Sequence, residues 1–102
     1  MSFDWHGYKW EGAFTDPNKL EDRSGIYAVW CKTGESWKIL DIGESHEVQT
    51  RVLNHDRAPQ WTANCRGTLY YAAHYTPSLQ QPGRREIEKR LPQLANPPCG
   101  DR

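Results

Sequence analysis

Two side chains in the middle of the sequence have the types and the spacing to act together on an anion. Arg51 and His55 are four residues apart, so on a helix both project from one face. A guanidinium offers a planar fork of donors to phosphate oxygens, and a neutral imidazole can accept a proton near pH 7. Arg51 could equally pair with Glu47 on the surface, and His55 could be a structural residue at a helix end.

Two short triplets that contain glycine lie in apolar runs and read GIY at 25–27 and DIG at 41–43. The first ends in Tyr27, whose phenol would act as a base only if a nearby cation lowered its pKa from about 10. Tyr27 could equally be a strand aromatic with one hydrogen-bonded hydroxyl. The second triplet begins with Asp41, a charged residue in an otherwise apolar strand. Both triplets therefore need an explanation beyond alternation.

Three strands are predicted to position these residues. Residues 26–30 and 37–42 are apolar runs separated by a polar turn with glycine, which indicates an antiparallel hairpin. Residues 68–75, rich in tyrosine, indicate a third strand. We expect its tyrosines to build the sheet surface, with stacking of a splayed base on one of them as the less favoured alternative.

Two helices are predicted to follow the hairpin and the third strand. Ser45 is a good N-cap, and the first helix should run to about residue 54 or 55. The second has an apolar face surrounded by basic residues, and Pro92 should end or kink it. Residues 57–66 read as a loop or a short helical turn. The order β-β-α-β-α predicts an α+β fold: a small three-stranded antiparallel sheet flanked by helices.

Length and charge restrict the function classes. The chain of 102 residues suits one domain, in which residues 1–23 form a lead-in segment that packs on the domain of residues 24–102. Its formal net charge is zero, which gives no overall attraction to nucleic acid or membrane. Residues 84–102 hold five basic and three acidic side chains, a basic face that could meet phosphates.

The cysteines and the apolar runs suggest a cytoplasmic location. Cys31, Cys65 and Cys99 are an odd number without close pairs, which argues against a disulfide framework and a zinc ribbon. No apolar run approaches the roughly 20 residues that span a bilayer. Residues 1–10 lack the features of a signal peptide. We expect no membrane partner.

The order of these motifs resembles the GIY-YIG nuclease superfamily. The matching positions, in the same order, are Tyr27, Gly43, Arg51, Glu88 and Pro97. The resemblance covers residues 24–100 and is close to the small stand-alone bacterial members, through the residues around Glu88 and the NPPCG tail at 96–100. It implies a three-stranded antiparallel sheet with helices, and hydrolysis of DNA with a divalent metal.

The resemblance also implies roles for individual residues. Glu88 would be the metal ligand, since one carboxylate suits Mg²⁺ (or Mn²⁺) that takes water and phosphate oxygens as its other ligands. Arg51 would bind the phosphate, and Tyr27 would orient or deprotonate the attacking water. His55 is the alternative base. From the residues alone, Glu88 could instead pair with Arg84 on the helix surface.

Asp41 stands where the family usually has its second tyrosine, and it could support the metal or orient Arg51 instead. Gly100 likewise stands where many members have asparagine. The predicted catalytic residues are Tyr27, Arg51, His55 and Glu88, and the predicted substrate-binding residues are Gly25, Asp41, Gly43 and Arg84.

The leading hypothesis is a metal-dependent endonuclease that hydrolyses phosphodiester bonds in DNA. With zero net charge and no added DNA-reading domain, it would be weakly sequence-specific or targeted by a partner protein. The alternative, favoured by Asp41, is a fold whose catalysis has lapsed and which binds nucleic acid or protein. A third hypothesis is an interaction domain that uses the aromatic residues of the N-terminal segment. Convergence of Tyr27, Arg51 and Glu88 on one cleft would favour the enzyme, whereas pairing of Asp41 with Arg51 there would favour the binding module.

Overall fold

The structure is a computed structural model that describes the backbone of residues 2–95 and the side chains of residues 2–91. The strands in this range are β1 (Ser2–Trp5), β2 (Tyr8–Phe14), β3 (Gly25–Thr33), β4 (Ser36–Ser45) and β5 (Thr68–Tyr75). The helices are α1 (Val48–Leu53), α2 (Ala58–Ala63) and α3 (Gln81–Ala95), and a 3-10 turn covers Pro17–Lys19. None of these helices is long and apolar enough to cross a membrane.

The strands form one antiparallel sheet in the order β1-β2-β5-β3-β4. The prediction of a three-stranded sheet in the order β-β-α-β-α is therefore wrong, because β1 and β2 extend the sheet beyond β5. The reason lies in the N-terminal sequence, where exposed and partly buried residues alternate along SFDW. His6 and Gly7 both have positive φ, which suits a two-residue hairpin turn between strands.

The hairpin of β3 and β4 is confirmed and extends further than predicted. Tyr27 pairs with Gly43, and the register shifts between Val29 and Trp30 because β4 carries one extra residue, Leu40. In such a bulge two residues of one strand oppose one residue of the other, so the local alternation is broken. Here Leu40 joins the core on the same side of the sheet as Val29.

Each face of the sheet has its own core. One face packs against α1 and α2, and its buried residues include Tyr27, Val29 and Trp61. The other face packs against α3, with Ile87 and Leu91 buried in its core. Residues at odd positions of β3 serve the first core and residues at even positions the second, as the pleat of a strand requires.

A disulfide joins Cys31 of β3 to Cys65, which lies between α2 and β5. The number and spacing of the cysteines argued against a disulfide framework, and this single disulfide was not predicted. Sequence spacing gave no sign of it, because the two residues are 34 positions apart and meet only when β5 pairs with β3. Cys99 lies outside the described residues.

The helices begin and end at other residues than predicted. Ser45 is not the N-cap of α1, because it still belongs to β4, and its hydroxyl accepts a hydrogen bond from the backbone N–H of Glu47. Of the two readings of residues 57–66, a loop or a short helical turn, the helical one is confirmed by α2. Pro92 does not end α3, which continues to Ala95. The tail at 96–100, with Pro97 and Gly100, lies outside the described residues.

Candidate functional site

A polar cleft of about 280 Å³ lies beside β4, the edge strand, and receives side chains from β3, β4, α1 and α3. Three of the four predicted catalytic residues line it: Tyr27, Arg51 and Glu88. We call it the polar cleft, and its other lining residues are Gly43, Glu44, Arg57 and Arg85. Three guanidinium groups outnumber two carboxylates there, which suits an anionic ligand.

Gly43 allows Tyr27 to reach the polar cleft. The two residues are cross-strand partners, and a Cβ at position 43 would overlap the hydroxyl and the ring of Tyr27. Only glycine leaves room for the phenol to lie across β4. Gly25, the other predicted substrate-binding glycine, does not line the cleft; it is buried, and a Cβ there would overlap the backbone carbonyl of His74. Its role in the structure is close packing of β3 on β5.

His55 lies behind Tyr27, with its side chain fully buried. Its Nδ1 accepts a hydrogen bond from the backbone N–H of Arg57 at 3.0 Å, and its Nε2 lies 2.6 Å from the Tyr27 hydroxyl. A backbone N–H can only donate, so the ring proton is on Nε2 and points at Tyr27. Burial, assisted by the charges of Arg51 and Arg57, lowers the pKa of His55 to about 4. The neutral ring therefore has no lone pair free to take a proton from water.

The Tyr27 hydroxyl is the group of this pair that lines the polar cleft. Burial raises the pKa of Tyr27 to about 12, the Asp41 carboxylate adds to the rise, and Arg57 and Arg51 oppose it. The phenol is therefore protonated at neutral pH. Because its oxygen accepts the proton of His55, its own O–H can donate to a ligand oxygen in the cleft.

Asp41 is fully buried and does not line the cleft. Its carboxylate accepts hydrogen bonds from Arg57 Nε at 2.7 Å, Arg57 Nη2 at 3.2 Å, Trp61 Nε1 at 2.9 Å and the backbone N–H of Ile42 at 2.9 Å. The expectation that Asp41 could orient Arg51 finds no contact between them in the described structure. The carboxylate instead holds Arg57, a cleft residue that sequence reasoning missed. The signal was Asp41 itself, since a buried carboxylate needs a cation.

Arg51 of α1 lines the cleft and keeps much of its guanidinium exposed. Its partner is Asp56, with Nη2 3.3 Å from the carboxylate, and not Glu47, which lies near His46. A single long contact to an exposed carboxylate is weak, so a phosphate can compete for the guanidinium.

Arg84 was predicted to bind substrate, but its neighbour Arg85 is the residue that lines the cleft. Arg84 is buried and does not line the cleft; its Nε donates to Glu44 at 2.9 Å, and its Nη1 donates to the carbonyl of Leu79 at 3.0 Å. It therefore fixes α3 to β4, and its ion-pair partner is Glu44 instead of the suggested Glu88. Arg85, one residue on and largely exposed, lines the cleft. Neighbouring residues of a helix are rotated by about 100° around its axis, so Arg84 and Arg85 project in different directions.

The carboxylates of the cleft fit a cation that arrives with its own ligands. Glu44 is engaged by Arg84 and by Gln81 Nε2 at 3.2 Å, and Glu88, the predicted metal ligand, lines the cleft. No group of three His, Cys, Asp or Glu side chains that could hold a metal occurs within the described residues. This donor set fits Mg²⁺ with water and phosphate oxygens as its other ligands, and it does not fit a closed protein cage.

Comparison with known proteins found no family model, no curated protein and no solved structure that matches this chain.

Proposed function

We propose that this chain is a metal-dependent endonuclease that hydrolyses phosphodiester bonds in DNA, and that the polar cleft is its active site. The observation that carries the proposal is the meeting of Tyr27, Arg51 and Glu88 in one cleft. They come from β3, α1 and α3, and the sheet and helices must pack correctly to bring them together. The resemblance to GIY-YIG nucleases, which names the same three residues, supports the same activity.

The charges of the cleft suit the chemistry. Arg51 and Arg57 hold non-bridging oxygens of the scissile phosphate and stabilise the negative charge that grows as water adds to phosphorus. The Tyr27 O–H orients the attacking water or donates to a phosphate oxygen, while His55 fixes the phenol from behind. Glu88 would hold the divalent cation, which would supply positive charge to the phosphate and lower the pKa of a bound water.

His55 has a positioning role in this proposal. Its Nε2–H donates to the Tyr27 oxygen and fixes the phenol. The phenol keeps its own proton at neutral pH, so it orients the attacking water, whose proton passes to solvent. The bond from water to phosphorus forms, the bond to the leaving oxygen breaks, and the leaving oxygen takes up a proton from solvent. In this proposal Tyr27 therefore orients the attacking water, and neither Tyr27 nor His55 takes its proton.

Targeting of the DNA belongs to the same proposal. The chain has zero net charge, and its cationic groups in the cleft are few, so we infer weak, salt-sensitive binding with little sequence preference or delivery by a partner protein. A cytoplasmic location remains a prediction.

The test is cleavage of supercoiled plasmid and of a branched DNA at low salt, with Mg²⁺ or Mn²⁺ and with chelator. We expect metal-dependent cutting, and a loss of roughly a hundred-fold or more in Glu88→Ala and in Arg51→Ala, because each removes charge stabilisation from the transition state.

The matched controls are Glu86→Ala and Arg66→Ala, which remove the same charges from exposed positions outside the cleft. Both should cut like the parent. Cutting that survives in Glu88→Ala and Arg51→Ala would come from a contaminant and would refute the assignment. No cutting by the parent, with DNA binding that depends on Arg51, would favour the lapsed binding module.

A further inference from the structure

A second cavity, of about 610 Å³, lies on the sheet face that carries α3 and shares no lining residue with the polar cleft. Its walls are aromatic: Phe3, Trp5, Trp30, Trp37 and Tyr70. We call it the aromatic cleft. Lys32 also lines it, and the small residues Gly12 and Ala13 of β2 complete the lining. The large aromatic side chains surround the small residues Gly12 and Ala13, so the surface is concave there.

The register of the sheet gathers these residues. Trp30 is the cross-strand partner of Tyr70 on β5, and Lys32 is the partner of Trp37 on β4. Directly opposed residues share a face, so all four point to the same side. They lie towards the turn of the hairpin, whereas α3 covers residues 26 and 28 further back along β3. Thus the helix leaves this part of the face open.

The rings leave usable surface for a flat ligand. Trp37 is 47% exposed, the largest such value among the exposed apolar side chains of the described chain. Its ring centroid lies 4.9 Å from that of Tyr70 and 6.3 Å from that of Trp30. Tyr70 is tilted by 57° to the Trp37 ring and Trp30 stands edge-on to it, so the exposed Trp37 ring is the surface on which a base can stack and the other two rings flank it.

Charge selects among flat ligands. Lys32 places its ammonium 5.3 Å from the centre of the Trp37 ring, and no acidic residue lines the cleft in the described chain. A quaternary ammonium, which aromatic cages often bind, would meet a like charge here. A sugar would find few polar partners, since Lys32 and Ser2 are the polar side chains of the lining other than the aromatic ones. A nucleobase with an attached phosphate suits both the rings and the ammonium.

Trp30 adds a hydrogen-bond donor to the wall. Its indole N–H is buried and has no acceptor among the described residues. A buried donor without a partner destabilises the protein, so an acceptor that reached it would be favoured. A base carbonyl is an acceptor of suitable size.

We infer that the aromatic cleft binds an unpaired base of a single DNA strand, stacked on Trp37 and flanked by Tyr70, with the adjoining phosphate at Lys32. The choice of DNA as ligand rests on the proposed nuclease function. Tyr27 and Lys32 are five residues apart on β3, or about 17 Å along the strand. The bound base would therefore lie some nucleotides away from the scissile phosphate, and the preferred substrate would carry a single-stranded segment.

The test measures binding without cleavage, using the full chain with Glu88→Ala in chelator. The probes are a fluorescein-labelled oligothymidylate about 12 nucleotides long, an abasic strand of the same length, a blunt duplex and thymidine monophosphate. Anisotropy and tryptophan fluorescence report binding. We expect the oligothymidylate to bind roughly ten-fold more tightly than the abasic strand or the duplex, because only it offers unpaired bases.

Two matched pairs of variants assign the site. Trp37→Ala should weaken oligothymidylate binding roughly ten-fold without changing abasic-strand binding, whereas Leu53→Ala, a similarly exposed side chain on α1, should do neither. Lys32→Ala should weaken binding more than Lys38→Ala, which removes the same charge beside Cys31 on the opposite face. Circular dichroism checks that each variant is folded.

Each other outcome overturns the inference. Equal affinity for the base-bearing and abasic strands would show that no base binds in the aromatic cleft. Equal effects of Trp37→Ala and Leu53→Ala would show the same. Thymidine monophosphate binding as tightly as the oligonucleotide would make this a free-nucleotide site and not a strand site. Since no metal is present and Glu88 is absent, these results leave the cleavage proposal standing; a failure to cut plasmid would leave base binding standing in turn.

Discussion

The hydrogen bond between His55 and Tyr27 gives different roles to two residues whose roles the sequence could not distinguish. Both side chains can titrate, and the sequence alone allowed either of them to be the base. The backbone N–H of Arg57 occupies Nδ1 of His55 and so assigns the proton to Nε2. One backbone contact, invisible in the sequence, therefore makes the imidazole a donor to Tyr27.

The buried imidazole also predicts how stability responds to acid. The pKa of His55 is about 4 in the folded protein, below its ordinary value of 6.5, because burial disfavours the charged ring. As the pH falls, the unfolded chain takes up the proton first, so this contribution is complete above pH 6.5 and is lost towards pH 4. Urea unfolding should show a loss of about 2 kcal/mol in the free energy of unfolding between pH 7 and pH 5.

The control for this prediction is a second histidine. His55→Gln should flatten the pH dependence between pH 7 and pH 5, while His46→Gln, at an exposed position, should keep the loss seen in the parent. A parent protein equally stable at both pH values would show that the ring is not held neutral by burial.

At the scale of elements, Asp41 fastens β4 to the start of α2. The bulge at Leu40 alters the local alternation of β4, and the carboxylate of Asp41 reaches both Arg57 and the indole of Trp61. Arg57 precedes α2 and lines the polar cleft. Asp41, which departs from the pattern of the family that the sequence resembles, thus supports one wall of the cleft.

Asp41→Asn should therefore damage both stability and the site. It leaves the Arg57 guanidinium, which is mostly buried, without its counter-charge, and we expect a loss of about 2–3 kcal/mol in the free energy of unfolding. DNA cutting or binding that depends on Arg57 should fall as well. Chemical denaturation measures the first effect and the plasmid assay the second.

Asp56→Asn is the matched control, since it removes a carboxylate from an exposed pair with Arg51. It should leave stability nearly unchanged. If Asp41→Asn behaves in the same way, the buried ion pair does not hold the cleft wall.

What the sequence predicts well at this scale is local, and what it misses is long-range. The β3–β4 hairpin and β5 follow from β-branched and aromatic runs between turn residues, and the structure confirms them. The pairing of β2 with β5 depends on residues 11 and 73 meeting, which no local pattern encodes. Tyr27, Arg51 and Glu88 were predicted to act together because their order matched a motif, and they do line one cleft. The sequence did not identify Arg57 and Arg85 as cleft residues, because only the three-dimensional packing places them there.

At the scale of the whole molecule, the disulfide closes a loop of 34 residues that contains β4, α1 and α2. Most of the polar cleft is built within that loop or beside it. A cross-link restricts the unfolded chain more than the folded one, and by loop-closure entropy this loop corresponds to about 3–4 kcal/mol. Disulfides persist mainly in oxidising compartments, so this one counts against the predicted cytoplasmic location.

Reduction should therefore lower the free energy of unfolding by about 3–4 kcal/mol, measured by guanidinium denaturation with and without a reductant. The double variant Cys31→Ala with Cys65→Ala should show the same lowered stability in both conditions. A parent protein indifferent to the reductant would mean that the cross-link does not contribute to stability in solution.

The placement of the tryptophans gives the molecule an optical marker for each side of its sheet. Four indoles touch in series on one face, from Trp10 through Trp5 and Trp30 to Trp37, each pair meeting edge to face. The fifth, Trp61, lies in the core of the other face and donates its N–H to Asp41. Excitation energy absorbed by one indole of the series can pass to its neighbour. A ligand that quenches Trp37 would therefore reduce the fluorescence excited in all four. Events at the opposite face would instead change the emission of Trp61 alone.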